Sequence, residues 1–566
     1  MPQSLLALAR VLEGLDPPPT ESELRELLFA RSKAELASVD AGGAHVEVTP
    51  DRLDLLSEGG LRQHLEGLLD RRTGLPPLPR HAATSPAASI QVHPSVAPLR
   101  PAIAAVTVHP PPGGGLEEGL LVEAVRFQEL LHATLGLDRR SASLGIYPLV
   151  RVRPPVTYRL RPLEEVRFVP LGGEAETDGT RFFAEHPMAA RYGALGRQGG
   201  ECLVLEDEVG AILSLPPVLN ARPAGEARVA DGALLLESTG TRAARVEEAV
   251  GLMMLPFLAR GYSVGPVPVA FPDRGETGER LVRVRDVALP RSTVEAIAGH
   301  SISEPELRLG FARARLGLRA APEGYVIEVP PWRPDLLAAC DLIEDLLDVR
   351  GLDAADRRGP AARTAGRRLP AHRSRRSAAE ALLGLGFVPL LTTVLVPDGI
   401  VTELGEDAIA LRHPVSLELA RVRNRLKISL LASLARNTRY PYPQRFSEVG
   451  PVVERAAGSE CGARTLTHAG FLIASEGTGL AEAAAIVDYL LRREQVRGVR
   501  EPASLPGTIP GRAARVRLAG EVVAELGEIA PEAFAGHGVP VPVAWGEVDL
   551  SALAPLLGRT PTESPL

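Results

Sequence analysis

A multidomain α+β fold is what this sequence predicts, and three features carry the expectation. The chain has 566 residues with 45% hydrophobic content, enough for roughly three to four domains of about 150 residues, each with a real core. Two breaker-rich stretches interrupt it, "LPPLPRHAATSPAAS" near 76–90 and the basic "AADRRGPAARTAGRRLPAHR" at 354–373, and both have linker composition. Elsewhere strand alternation and helix periodicity are mixed. The expected divisions are 1–90, an N-terminal α+β domain with its linker, then 91–272, a central module at 273–355, and 356–566.

Residues 1–75 read as helix, helix, and a short strand over His45–Thr49 turned by Pro50-Asp51. Ser57 is then placed to cap a helix whose Leu61, Leu65, Leu68 and Leu69 form one stripe. From 95 to 270, "AIAAVTVH" reads as a strand and "GLEEGLLVEAVRFQELLHATLG" as a long helix. "ECLVLEDEVGAILSLPPVLN" gives two short strands ending in a Pro-Pro turn, and "GALLLESTGTRAARVEEAVGLMMLPFLARG" a strand that runs through Thr-Gly-Thr into an apolar helix. The stretch 275–355 reads as strand, helix, helix, strand, acidic helix. Beyond the second linker, "FVPLLTTVLV", "AIALRH", "FSEVGPVVE", "HAGFLIA", "ARVRLAGEVVAELGEI" and "PVAWGEVDL" predict a large mixed sheet with a few helices.

Composition narrows the class. A net charge of −7 gives no global basic field of the kind that marks nucleic-acid binding, although a local basic face is allowed. Only Lys33 and Lys427 are lysines, a skew that fits GC-rich coding. Cys202, Cys340 and Cys461 are scattered and far from CxxC spacing, which points to a reducing compartment, the cytoplasm, and against a disulfide framework or zinc site. No stretch approaches the roughly 18 apolar residues of a membrane span, and "AVGLMMLPFLA" is too short, so no membrane association is expected.

The segment "VPPWRPDLLAACDLIEDLLDVRGL" at 329–352 gathers Asp335, Asp341, Glu344 and Asp345. At 100° per residue Leu336, Cys340, Ile343 and Leu347 form a narrow stripe, widened by Leu342, Leu346 and Val349. Asp341, Glu344 and Asp345 then share the opposite edge, with Asp335 near the helix start. Spacing leaves two readings open: a solvated acidic face, or a hard-cation site, since Mg²⁺ takes oxygen ligands and is held by one or two carboxylates plus water.

Six segments in order, "VEVTPDRLDLLS" (46–57), "LSLPPVLN" (213–220), "STGT" (238–241), "PPWRPDLLAACDLIEDLLDVRGL" (330–352), "PQRFSEVG" (443–450) and "IPGRAARV...GEVVAELGEIAPE" (509–532), together resemble the β subunit of phenylalanyl-tRNA synthetase, archaeal/eukaryotic type. The resemblance spans essentially the whole chain. It implies that Asp335, Asp341, Glu344 and Asp345 are Mg²⁺ ligands of the central module. It also implies that 91–272 is a tRNA-binding editing domain hydrolysing tyrosine wrongly attached to tRNA(Phe), with Ser214, Asn220, Glu237 and Thr239 in the pocket and Leu205 binding substrate. Archaeal members usually carry Asp where Glu237 stands. Without the resemblance, Ser214 and Thr239 read equally as turn or strand hydroxyls, Asn220 as a strand end and Leu205 as core.

For 356–566 the resemblance implies a class II synthetase-like antiparallel sheet that lacks catalytic residues. It further implies an α-subunit partner that uses ATP and phenylalanine, an (αβ)₂ assembly, and tRNA(Phe) as substrate. The alternative is a paralogue outside the ligase, a free-standing tRNA- or protein-binding regulator. Arg52 and Asp54 are expected to form a structural pair or a partner contact.

Overall fold

The computed structural model describes residues 2–81, 88–229, 231–273, 275–351, 366 and 368–556. The chain divides into two compact units, Met1–Gly359 and Pro360–Leu566. Most of the expected second linker, and the middle of the first, lie outside the described residues. Among the described residues no helix is long and apolar enough to cross a membrane, and all three cysteines are unpaired thiols.

The first unit opens on a strand, Gln3–Leu6, where a helix is expected. The backbone pairs antiparallel with Ala44–Glu47 in a three-stranded sheet, and burial of Leu6 outweighs the helix propensity of "SLLALAR". The helix Glu58–Leu68 forms as expected. Ser57 accepts the Gly60 N–H at 3.0 Å, and Leu61, Leu65 and Leu68 are buried, each contributing about 1.5–3 kcal/mol.

Residues 88–277 build two large sheets and a two-stranded one, Arg167–Phe168 with Thr177–Asp178. Ser263–Pro266, Ala102–His109, Leu234–Gly240 and Ala142–Pro148 lie side by side in that order, all antiparallel. The helix Glu118–Ala133 covers this sheet with Leu120, Ala124, Phe127 and Leu131. The second sheet has eight strands, including Val156–Pro162, Glu201–Glu206, Ile212–Leu215 and Leu219–Asn220.

The module after residue 284 contains one strand more than expected. Gly317–Ala321 pairs with Gly324–Val329, which pairs with Arg285–Pro290. The residues of Gly317–Ala321 are half-buried or exposed, so no apolar alternation marks it. The acidic helix runs Ala339–Arg350. Its buried residues are Leu342, Ile343, Asp345, Leu346 and Val349, while Cys340 is exposed. The apolar stripe is therefore rotated from the expected one, and Asp345 lies on the buried face.

In the second unit Gln444–Arg455, Ala463–Ala474, Val543–Asp549, Glu521–Ile529, Thr508–Leu518 and Val499–Pro502 pair antiparallel in that order, with Val388–Pro389 added in parallel at one edge. Alternation along each strand supplies two apolar faces. One packs with helices Pro370–Gly384 and Leu480–Arg493, the other with Leu426–Arg436.

Candidate functional site

Between the two sheets of the 88–277 region lies a cavity of about 390 Å³. Its walls come from the helix Glu118–Ala133 (Gln128, Glu129, His132), the strand Ala142–Pro148 (Ser143, Leu144, Ile146), the turn 215–220, and Ser214 and Glu237. The fold brings Ser214, Asn220 and Glu237 together on it. It does not bring Leu205 or Thr239 there. Leu205 pairs in register with Ser214 but points into the core that also holds Leu203, Leu213 and Tyr147. Thr239 is fully buried and reaches the cavity only through Ser143, whose hydroxyl is 3.0 Å from its own, while its carbonyl accepts from Arg100 at 2.6 Å.

Glu237 faces Gly145 across the strand pair. A Cβ at Gly145 would lie 2.3 Å from the Tyr147 hydroxyl and 2.7 Å from Glu237 Oε1, so only glycine leaves room for that pair. The Tyr147 hydroxyl is 3.0 Å from Glu237 Oε1 and 2.8 Å from Ser214 Oγ, tying one sheet to the other. Glu237 Oε2 is buried with no hydrogen-bond partner. Burial pushes the Glu237 carboxyl up to about 8, against the Tyr147 hydrogen bond and the Arg100 guanidinium, which lower it. At pH 7 it is a neutral acid, and it can both accept and donate. Asn220 donates through Nδ2 to Gly225 O at 3.2 Å and Ile146 O at 3.5 Å, which leaves its amide oxygen for the cavity.

Four residues that sequence reasoning does not single out shape this site: Tyr147, Arg139, His132 and Glu129. Arg139 Nη1 donates to the carbonyls of Pro217 and Val218, both at 3.1 Å, and Nη2 to Glu129 at 3.0 Å, so it pins the Pro-Pro turn. Leu137, Asp138 and Arg139 are consecutive left-handed residues, with φ of 50°, 56° and 64°, a path that aims the guanidinium at the turn. His132 Nε2 accepts the Leu144 N–H at 2.8 Å and Nδ1 faces Glu129 at 3.2 Å. Both ring nitrogens are engaged, so His132 is held away from general-base work. Tyr147 sits in the strand Ala142–Pro148 and Arg139 in the loop before it, stretches in which no sequence motif marks either residue.

The second expected site takes another form. Asp335, Asp341, Glu344 and Asp345 do not converge, and among the described residues no group of three His, Cys, Asp or Glu side chains is placed to hold a metal. Arg333 is gripped by Asp345 (3.0 and 3.2 Å) and by Asp335 (2.7 and 3.0 Å). Arg52 bonds Asp54 through two 2.9 Å contacts and reaches Asp345 at 3.4 Å. Arg52 and Asp54 are thus a structural pair. Glu344 meets Lys33 at 3.0 Å. Asp341 accepts the N–H groups of Leu337 and Ala338 at 2.8 Å each and caps its own helix. Asp335 lies before the helix, which starts at Ala339.

These residues do not fit a magnesium ion shared by four carboxylates. Burial raises the Asp345 carboxyl, but Arg333 and Arg52 outweigh it and hold the group down at about 2. A Mg²⁺ ion bound at its usual 2.0–2.1 Å would stand beside both guanidinium charges. In this structure Arg333, Arg52 and Lys33 face these carboxylates instead of a shared ion.

Residues 287–351 match the tRNA synthetase B5 domain and 357–550 the phenylalanyl-tRNA synthetase beta chain CLM domain. The phenylalanine–tRNA ligase beta subunit of Aeropyrum pernix is 30% identical over 547 residues, covering 95% of this chain and 96% of the relative. That of Korarchaeum cryptofilum is 28% identical over 540 residues, covering 94% and 95%. Among solved structures, an N-terminal fragment of the phenylalanyl-tRNA synthetase beta subunit from Pyrococcus horikoshii shares the fold at a TM-score of 0.57 and 21% identity, over 62% of this chain and 99% of the fragment. This chain therefore belongs to the β-subunit family of phenylalanine–tRNA ligase, a class II aminoacyl-tRNA synthetase.

Proposed function

We propose that the chain works beside a catalytic α subunit, in an (αβ)₂ assembly in the cytoplasm, and that the cavity hydrolyses tyrosine mistakenly esterified to tRNA(Phe). In this reading the functional divisions are 1–90, the editing domain 91–272, the central module 273–355, and a class II-like scaffold at 356–566 that carries no catalysis of its own. ATP and its Mg²⁺ are used at the α subunit. Mg²⁺ there would neutralise phosphate charge, and no step of the editing reaction uses it.

The supporting observation is Glu237, neutral, buried and short of one partner at the wall of a cavity sized for an aromatic side chain. Tyrosine exceeds phenylalanine by one hydroxyl, and a buried polar group left unpaired by phenylalanine discriminates between them. Water adds to the ester carbonyl, the acyl C–O bond breaks, one water proton goes to the ribose oxygen and the other to solvent, and tyrosine leaves as its carboxylate. Asn220 and Ser214, whose side-chain oxygens are left to accept, orient the aminoacyl group and the attacking water, so catalysis rests on positioning.

Asn220→Ala is expected to slow hydrolysis of tyrosyl-tRNA(Phe) by about 10²-fold while phenylalanine charging by the assembled enzyme is unchanged. Undiminished hydrolysis would remove the assignment.

A further inference from the structure

Tyr147 is outside the cavity lining yet touches two groups that line it. It is fully buried, and its phenol carries one hydrogen for two oxygen neighbours. With Glu237 neutral, Tyr147 can donate to Glu237 Oε1, the carbonyl oxygen, and accept from the Ser214 hydroxyl. The acid proton of Glu237 then sits on Oε2, the buried atom with no protein partner. Gly145 keeps this arrangement free of steric contact.

We infer that Tyr147 is the positioning residue that sets the selectivity of the pocket. By occupying Oε1 and the Ser214 hydroxyl from behind, it leaves Oε2 as the one oxygen of Glu237 without a protein partner, the buried donor we pair with the ring hydroxyl of a 4-hydroxyphenyl side chain. This rests on the editing reading above. Without the phenol, Glu237 could turn toward Ser214 and satisfy itself inside the protein, and a phenylalanyl ester would no longer strand an unpaired acid.

The charged and titratable groups around Glu237 are Tyr147 and Arg100, with Tyr158 behind them; across the cavity stand Glu129, His132 and Arg139. Because the Tyr147 hydrogen bond lowers the Glu237 pKa, removing it moves titration upward.

The test measures deacylation of tyrosyl- and phenylalanyl-tRNA(Phe) by the assembled enzyme without ATP, across pH. For Tyr147→Phe the tyrosyl preference in kcat/KM is expected to fall about tenfold, the worth of one hydrogen bond, and an inflection near pH 8 to move to higher pH. A purely structural loss would leave that inflection in place. Should Tyr147→Phe not fold, Glu237→Gln decides: the inflection should vanish, and its persistence overturns the inference. An unchanged preference and inflection in a folded Tyr147→Phe protein overturns the role of Tyr147 alone. Absence of tyrosyl hydrolysis by the unsubstituted enzyme overturns the editing reading and this inference with it.

Discussion

Asp345 and Glu237 are both buried carboxyl groups of the first compact unit, 4% and 3% exposed, yet their surroundings give them opposite charge states. Around Asp345 every oxygen faces a guanidinium, and the group stays ionised. Around Glu237 the facing partner is a phenol, the nearby Arg100 directs both terminal nitrogens at the carbonyls of Thr239, Arg139 and Arg140 and at Ser143, and burial favours the neutral acid. The first arrangement is saturated and joins the 52–54 turn to the acidic helix, 293 residues away in sequence. The second leaves one buried oxygen, Oε2, without a partner on a residue that lines a cavity. The difference separates an architectural cluster from a binding one: unspent hydrogen-bonding capacity facing a cavity is the mark of a site, and acid count is not.

Three perturbations break or sharpen the contrast. The largest effect is expected for Asp345→Ala, which leaves Arg333 and Arg52 buried without a shared partner and should cost about 3–5 kcal/mol in denaturant unfolding of the first unit. A loss under 1 kcal/mol would mean that the network is solvated. The next is a difference in pH dependence. Asp345 has a folded pKa of about 2, below the unfolded value near 4. Its stabilisation is present above pH 4 and lost as pH falls toward 2. Glu237 runs the other way. Its folded value of about 8 exceeds the unfolded value near 4, so its contribution is complete below pH 4 and lost as pH rises to 8, with a slope of at most about 1.4 kcal/mol per pH unit. Glu237→Gln should flatten thermal stability between pH 5 and 8; identical curves would place Glu237 in contact with water.

The smallest effect concerns magnesium. Because Arg333, Arg52, Lys33 and two backbone N–H groups already satisfy the four acids, adding or chelating Mg²⁺ should leave the unfolding midpoint unchanged. Asp341→Ala with Glu344→Ala should cost the same with and without the ion. A midpoint that rises with Mg²⁺ only in the unsubstituted protein would restore a metal site.

Local chemistry was legible in the sequence where it acts over a few residues. The Ser57 cap, the leucine stripe after it and the long alternating strands at 444–474 and 508–549 follow from cap and period rules. A stripe counted from Leu336, three residues before the helix begins at Ala339, misphases the acidic helix and puts exposed Cys340 inside and buried Asp345 outside. The cations that let Asp345 be buried are Arg333, twelve residues before it, and Arg52, which no spacing rule connects to it. In the pocket, Ser214, Asn220 and Glu237 came from family likeness, while Tyr147 was hidden because a strand tyrosine looks like core until its hydroxyl partners are seen. Leu205 and Thr239 support the wall from behind, a distinction that only geometry makes.

The most direct test of the central claim is the rate at which the assembled enzyme, without ATP, releases amino acid from tyrosyl-tRNA(Phe) relative to phenylalanyl-tRNA(Phe). The account predicts rapid tyrosine release, with the phenylalanyl ester cleaved at least about tenfold more slowly. Equal rates for the two esters, or no release of tyrosine above the uncatalysed rate, would contradict it.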